Sequence, residues 1–286
     1  MEKMTSTLYI TDLDGTLLNA DSEVSDASKE MINKAIDCGV LFSIATARTP
    51  STVSKIMRGV ESNLPYIVMT GAAFWNPADG EFSDTVTFTI QEAEQIFEIF
   101  LRHSFPVFIY CFHDGIIQVY HSGPLSPLER EFMKGRESRY KHFHVPEDGE
   151  SVIPSPLPPV LLFYSIQPTE LGGPVYEEIN AKCHCNPLFY HDIFGNEIAV
   201  LEAFAPGATK ARAIERLKRL TGADRVVAFG DNVNDIPMLR AADMAVAVEN
   251  AIPEVKEIAD IVIGSNTTDS VARFILTDSQ LTTHEI

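Results

Sequence analysis

The sequence predicts an α/β protein: a Rossmann-like parallel sheet with helices on both faces, interrupted by an inserted α+β domain. Three observations lead there. Short apolar runs alternate with helical patterns near both ends of the chain, the rhythm of strand-helix-strand units. The middle instead carries apolar runs joined across Asp114-Gly115, which read as a hairpin and so as antiparallel sheet. At 286 residues the chain is long enough for two domains, each with its own core.

In order, Leu8 to Ile10 is a short apolar run ending at acidic residues and Gly15. The helical pattern that follows has Ala27, Met31, Ile32, Ala35 and Ile36 at helical spacing and is closed by Gly39. Val40 to Ala45 reads as a buried strand. Thr49-Pro50 opens a helix with proline in the first turn, where its missing N–H is tolerated, and Tyr66 to Met69 is a third strand. Next come a Thr89-x-x-Glu92 capping-box helix, the hairpin of Val107 to Cys111 with Ile116 to His121, and an apolar run at Val160 to Ile166. A helix near Val175 to Lys182 and a strand near Leu188 to Tyr190 complete the middle. Lys210 to Leu220 is then helical, Val226 to Phe229 a strand, Ile236 to Ala241 a short helix and Met244 to Val248 another strand. The expected division is a core of residues 1–82 and 196–286 with an inserted domain of residues 83–195. The proline-dense stretch Pro146 to Pro159 is a loop within the insert, because strand signal resumes right after it.

A formal charge of −18 makes the surface acidic and would repel a phosphate backbone, so nucleic acid is not an expected partner. Four cysteines, Cys38, Cys111, Cys183 and Cys185, are too few and too unevenly spaced for a disulfide framework and fit a reducing compartment. The N-terminus has no sustained apolar core, and no window approaches about 18 uncharged apolar residues. The expectation is a soluble cytoplasmic protein, with no membrane and no obligate protein partner.

Asp12-Leu13-Asp14-Gly15-Thr16 follows the first strand, and residues two apart on an extended chain point the same way, so both carboxylates are expected to face one spot. In a parallel sheet that spot is the carboxyl edge, where ligands of open sheets bind. Alone, the pair reads as turn and capping residues. A second acidic cluster, Gly230-Asp231-Asn232-Val233-Asn234-Asp235, follows another buried strand, and two acid-bearing strand ends would build an oxygen-rich site for a hard cation such as magnesium. Thr46, ending the second strand, offers a hydroxyl to a phosphoryl oxygen. Lys210, opening a helix, offers a positive charge. Singly, these read as a helix cap and a surface lysine.

Taken together, DxDGT, a strand-terminal threonine, a helix-initial lysine and GDxxND occur in this order at four element boundaries. The set resembles the haloacid dehalogenase superfamily of phosphohydrolases, and nearly the whole chain resembles its Cof-type (IIB) branch, with an inserted α+β cap of the C2B type. The resemblance implies a phosphatase in which Asp12 attacks phosphorus to give an aspartyl-phosphate and Asp14 protonates the leaving oxygen, then activates water. It implies Mg2+ held by Asp12, the Asp14 main-chain carbonyl and Asp231, with Asp235 steadying Lys210 or a water. Thr46, Lys210 and Asn234, with backbone groups near Leu13 and Ala47, would cradle the phosphoryl oxygens. Arg48 is either a substrate contact or half of a surface ion pair, with the ion pair favoured. The substrate implied is a small phosphorylated metabolite, a sugar phosphate first, with the cap closing over the site. Competing readings are a phosphosugar mutase with the same aspartyl-phosphate chemistry and a catalytically silent phosphate binder; the intact Asp12, Asp14, Lys210 and Asp231 speak against the latter.

Two positions depart from the branch's pattern: Thr70-Gly71-Ala72 stands where Asn-Gly is frequent, and Asp269-Ser270 where Asp-Gly is frequent. Cys183-His184-Cys185 with His191 lacks the second matched pair of a zinc site and reads as packing. The basic stretch of residues 134–144 reads as a solvated, partly ion-paired loop rather than an anion trap.

Overall fold

The computed structural model describes residues 6–146, 150–191 and 197–284. The chain opens with β1 (Thr7–Thr11), a tight turn (Leu13–Leu17), α1 (Asp26–Asp37), β2 (Leu41–Ile44), α2 (Pro50–Ile56), β3 (Tyr66–Val68), β4 (Ala73–Trp75) and β5 (Phe82–Thr85). It continues with α3 (Ile90–Arg102), β6 (Phe108–His113), β7 (Ile116–His121), α4 (Pro127–Met133), β8 (Lys141–His144), β9 (Val160–Pro168), α5 (Thr169–Lys182), β10 (Asn186–His191) and β11 (Ile198–Phe204). It ends with α6 (Lys210–Thr221), β12 (Arg225–Gly230), α7 (Ile236–Ala241), β13 (Met244–Ala247), α8 (Pro253–Ile258), β14 (Ile261–Val262) and α9 (Ser270–His284). Two compact units result, one of Met1–Ser83 with Thr209–Ile286 and one of Asp84–Ala208.

The first unit is built on a parallel sheet in the order β14-β13-β12-β1-β2. β1 and β12 lie at its centre, and Leu8, Ile10, Val226, Val227, Ala228 and Phe229 are all fully buried, the near-continuous apolar run of a strand covered on both faces. Helices flank this sheet, with α1 packed against α9 and α6 against α7. Local chemistry sets the helix ends. Ser25 caps α1 by accepting the Ser28 amide, Thr209 caps α6 by accepting the Arg212 amide, and Gly222 ends α6 at φ +67°. Parallel strands all finish at one edge, so the residues after β1, β2 and β12 share that edge.

The second unit is a mixed sheet in the order β10-β11-β9-β6-β7-β8, antiparallel except for the β7–β8 pair. α3 and α5 pack on each other, and α5 lies on β9, β10 and β11. Phe100 of α3 stacks on Phe163 of β9 at 5.9 Å between centroids.

Two expectations change here. The boundary after residue 195 lies outside the described residues, and β11 beyond it belongs to the second unit because it pairs along its length between β9 and β10. The chain therefore returns to the first unit at Thr209. The basic stretch also ends differently: its Lys141 begins β8 and is only 2% exposed, its ammonium 5.2 Å from the ring centroid of Phe143 and 5.8 Å from that of Tyr110. Burial pushes this lysine down to about 7. Of the proline-dense loop, residues 147–149 lie outside the described residues and residues 150–159 form neither helix nor strand.

Candidate active site

Asp12 is the residue after β1, and its amide donates to the Phe229 carbonyl of β12 at 3.0 Å, which fixes the strand end. The residue is 6% exposed. Lys210, the first residue of α6 and equally buried, donates from Nζ to Asp12 Oδ1 at 2.6 Å and to Asp235 Oδ1 at 2.7 Å. Asp235 is fully buried; its other oxygen, Oδ2, accepts the amides of Asp231 at 3.1 Å and Asn232 at 3.3 Å. Both ends of this carboxylate are thus used by the protein, one on the lysine and one on the loop that carries Asp231. Asp235 is therefore placed as a brace between two other groups.

Glycines allow this crowding. A Cβ at Gly230 would lie 2.6 Å from Asp235 Cβ, and one at Gly15, where φ is +75°, would strike the Asp231 carboxylate. Next to Gly15, the Thr16 hydroxyl donates to Asp231 Oδ1 at 3.0 Å. Carboxylate oxygens of Asp12, Asp231 and Asp235 all lie within 4.8 Å of one another.

Three carboxylates around one ammonium strain the electrostatics. Burial pushes Asp12 up to about 7 against the pull of Lys210, and Asp235 adds to the rise. Asp231 is raised by burial as well. Burial opposes the charged form of Lys210, but Asp12 and Asp235 outweigh it and raise the lysine. A hard cation among the aspartates would favour their ionised forms.

The two acids of the DxD motif do not share an environment. β1 ends at Thr11, so the alternation expected of an extended chain stops before Asp14, which sits on a turn with Gly15 reversing the backbone. Asp14's side chain is 55% exposed and takes a forked pair from Arg48, Nε to Oδ2 at 2.8 Å and Nη2 to Oδ1 at 2.5 Å. Arg48 is thus an ion-pair residue, but its partner is the motif acid itself.

Thr46 is buried beyond the end of β2, its hydroxyl accepting the Arg48 amide at 3.2 Å. Its carbonyl accepts the Thr70 amide at 2.9 Å. Met69, Thr70 and Gly71 form three successive left-handed residues, φ +51°, +57° and +93°. That turn also packs on α6, where a Cβ at Gly71 would lie 2.5 Å from the Thr209 carbonyl. The Leu13 side chain is fully buried, whereas Ala47 and Asn234 are exposed. Among the described residues no hydrogen bond joins Asn234 to the aspartates or to Lys210.

The structure therefore gathers Asp12, Lys210, Asp231 and Asp235, with Thr16 attached, and leaves Asp14 beside Arg48. Thr16 was visible in the motif without a partner, and its bond to Asp231 spans residues far apart in the chain. Cys183, His184 and Cys185 lie between α5 and β10. His184 Nδ1 meets Glu92 Oε1 at 3.0 Å, and burial pushes the Cys185 thiol up to about 12. Among the described residues the aspartates are the one cluster able to hold a metal ion.

Comparison with known proteins gives the family and the fold. The model of the haloacid dehalogenase-like hydrolases matches residues 9–275. The pyridoxal phosphate phosphatase YbhA of Escherichia coli is 27% identical, covering 95% of this chain and 98% of its own. The 5-amino-6-(5-phospho-D-ribitylamino)uracil phosphatase YwtE of Bacillus subtilis is 26% identical, covering 92% of this chain and 95% of its own. Among solved structures, a haloacid dehalogenase-like hydrolase from Bacteroides thetaiotaomicron superposes with a TM-score of 0.73 at 22% identity, over 96% of this chain and 99% of that one. The subclass IIB sugar phosphatase BT4131 gives 0.68 at 21% identity, over 96% and 99%.

Proposed function

The chain belongs to the haloacid dehalogenase-like hydrolases, in their Cof-type branch, and is a phosphatase; on that premise we propose that it hydrolyses a small phosphomonoester, a sugar phosphate first, through an aspartyl-phosphate on Asp12. The observation that carries this reading is the buried Asp12, bonded to Lys210 at 2.6 Å and within 4.8 Å of Asp231 at the carboxyl edge of the parallel sheet.

Asp12 attacks phosphorus in line as the bond to the leaving oxygen breaks, and Asp14 delivers a proton to that oxygen. Asp14 then takes a proton from water as the water attacks the aspartyl-phosphate, which releases inorganic phosphate and restores Asp12. The forked bond from Arg48 engages both Asp14 oxygens, so the pair opens before Asp14 can hold the proton it donates. Lys210, Thr46 and Asn234, with main-chain amides near Leu13 and Ala47, bind the phosphoryl oxygens, a mainly electrostatic task.

The donor set fits magnesium, since the clustered side chains offer only oxygen. Asp12, Asp231 and the Asp14 carbonyl would hold it, and Asp235, already bound at both oxygens, would not. When bound, the ion offsets the charge of nucleophile and phosphate so that they can approach. We assign leaving-group choice to the second unit and the protein to the cytoplasm; among the described residues no helix is long and apolar enough to cross a membrane.

The test is phosphate release from a panel of sugar phosphates, nucleotides, flavin mononucleotide and pyridoxal phosphate, with and without magnesium, beside Asp12→Asn. Magnesium-dependent release lost in the variant is expected. Release independent of magnesium would remove the metal. Phosphoryl return to a sugar in the presence of a sugar bisphosphate would replace the hydrolase by a mutase.

A further inference from the structure

The loop between β13 and α8 has no part in the chemistry above, yet it holds both acidic loops. Asn250 Nδ2 donates to the Gly15 carbonyl at 2.7 Å, and two residues on the Ile252 amide donates to the Asp231 carbonyl at 3.0 Å. The far end of the Asn250 amide is also tied: its Oδ1 accepts the Asn266 amide N–H at 3.0 Å. Asn266 in turn donates from Nδ2 to the Leu18 carbonyl at 2.7 Å. One pair of asparagines thus grips the segment after Asp12 at two carbonyls, Gly15 and Leu18, and each end of the Asn250 amide has the partner its chemistry requires.

The grip acts where spacing is least forgiving. No side chain fits between Gly15 and the Asp231 carboxylate, and Thr16, the next residue, bonds to Asp231 Oδ1. A shift of the Gly15 carbonyl therefore moves the Asp12 loop against Asp231 directly. We propose that Asn250, backed by Asn266, is a positioning residue that sets the spacing of the Asp12 and Asp231 loops and so the affinity of the acidic cluster for a divalent cation. This rests on the proposed metal reading.

Asn250 is exposed, so truncating it opens no core. The net worth of such a hydrogen bond corresponds to a binding change of roughly 3- to 10-fold. A matched control exists in the same unit. Asn33 also bonds at both ends of its amide, Nδ2 to the Gly59 carbonyl at 2.8 Å and Oδ1 to the Glu61 amide at 2.9 Å, and its bonds reach neither acidic loop.

The experiment is calorimetric titration of Mg2+ into the full, metal-stripped chain, with the melting temperature recorded alongside. The expected result is a dissociation constant raised about 3- to 10-fold in Asn250→Ala and unchanged in Asn33→Ala. A constant for Asn250→Ala within about 2-fold of the parent, the low end for a lost hydrogen bond, overturns the proposal, as does equal weakening in Asn33→Ala. If Asn250→Ala does not fold, Asn266→Ala takes its place under the same criteria. A parent chain that takes up no Mg2+ overturns the metal reading and this one with it, whereas a parent that binds while Asn250→Ala binds equally overturns this one alone.

Discussion

Two buried polar clusters, one in each unit, are built in opposite ways. In the second, Glu129 Oε1 accepts from Gln167 Nε2 at 2.7 Å and lies 3.1 Å from His121 Nε2, while its Oε2 accepts the Ser126 amide at 2.7 Å. His121 Nδ1 lies 2.5 Å from the Gly123 carbonyl. His121, Glu129 and Gln167 thus satisfy one another and close on themselves. In the first unit Asp12 and Asp235 share the single ammonium of Lys210 and Asp231 lies beside them, with more negative than positive charge in the cluster. A network complete in itself is a structural device. One whose charges its own side chains do not balance marks chemistry done with something from outside.

The contrast breaks most visibly at Asp12, the proposed nucleophile. Asp12→Asn should lower turnover at least about 10³-fold while the chain stays folded, as read by phosphate release and circular dichroism. Retained turnover would place the chemistry elsewhere. Lys210→Met should be the costliest for folding, because it leaves Asp12 and Asp235 buried without a cation; a loss of about 3–5 kcal/mol is expected in chelator-treated protein by urea denaturation. Glu129→Ala should cost less, about 1–3 kcal/mol, by stranding His121 and Gln167. Its magnesium affinity should match the parent's, since the closed network serves no ion.

A pH series sharpens the same contrast. Burial pushes Glu202 of the second unit from an ordinary 4.5 up to about 7, and Asp12 from 3.8 up to about 7. Between those values the folded chain holds protons that the unfolded chain has released, so folding binds protons and stability falls as pH rises. The stabilisation is complete below about pH 4 and lost as pH passes about 7. Melting of the metal-free protein should follow that decline. Glu202→Gln should remove one share, and saturating magnesium should remove the Asp12 share only. The smallest effect belongs to Arg48→Gln. Its partner is more than half exposed, so stability should change by less than about 1 kcal/mol, while the pH profile of kcat shifts because the forked bond no longer competes for the Asp14 oxygens.

Much of this was legible in the sequence where a signal is local. The buried strands before Asp12 and Asp231, the Thr89 capping box, which forms in both directions, and the Asp114-Gly115 hairpin all rest on neighbouring residues. The readings that failed depend on distant partners. β11 looked like the start of the core because its apolar run does not say which sheet it joins. Lys141 looked solvated because its charge does not report that its ammonium is buried over the rings of Tyr110 and Phe143. At the site, the DxD spacing suggested a shared direction, but only the folded chain shows that β1 ends at Thr11 and that Arg48 takes Asp14. Asn250 carries no motif-level signal at all, because its importance lies in which carbonyl it reaches.

The central claim is that phosphorus passes through Asp12, and acid-quenched protein caught during turnover tests it most directly. Peptide mass spectrometry should find one added phosphoryl group on the fragment containing Asp12, absent from Asp12→Asn and discharged when the quench is delayed until substrate is exhausted. Steady phosphate release with the label on another residue, or with no labelled peptide under conditions where hydrolysis of the intermediate is made slow, would contradict it.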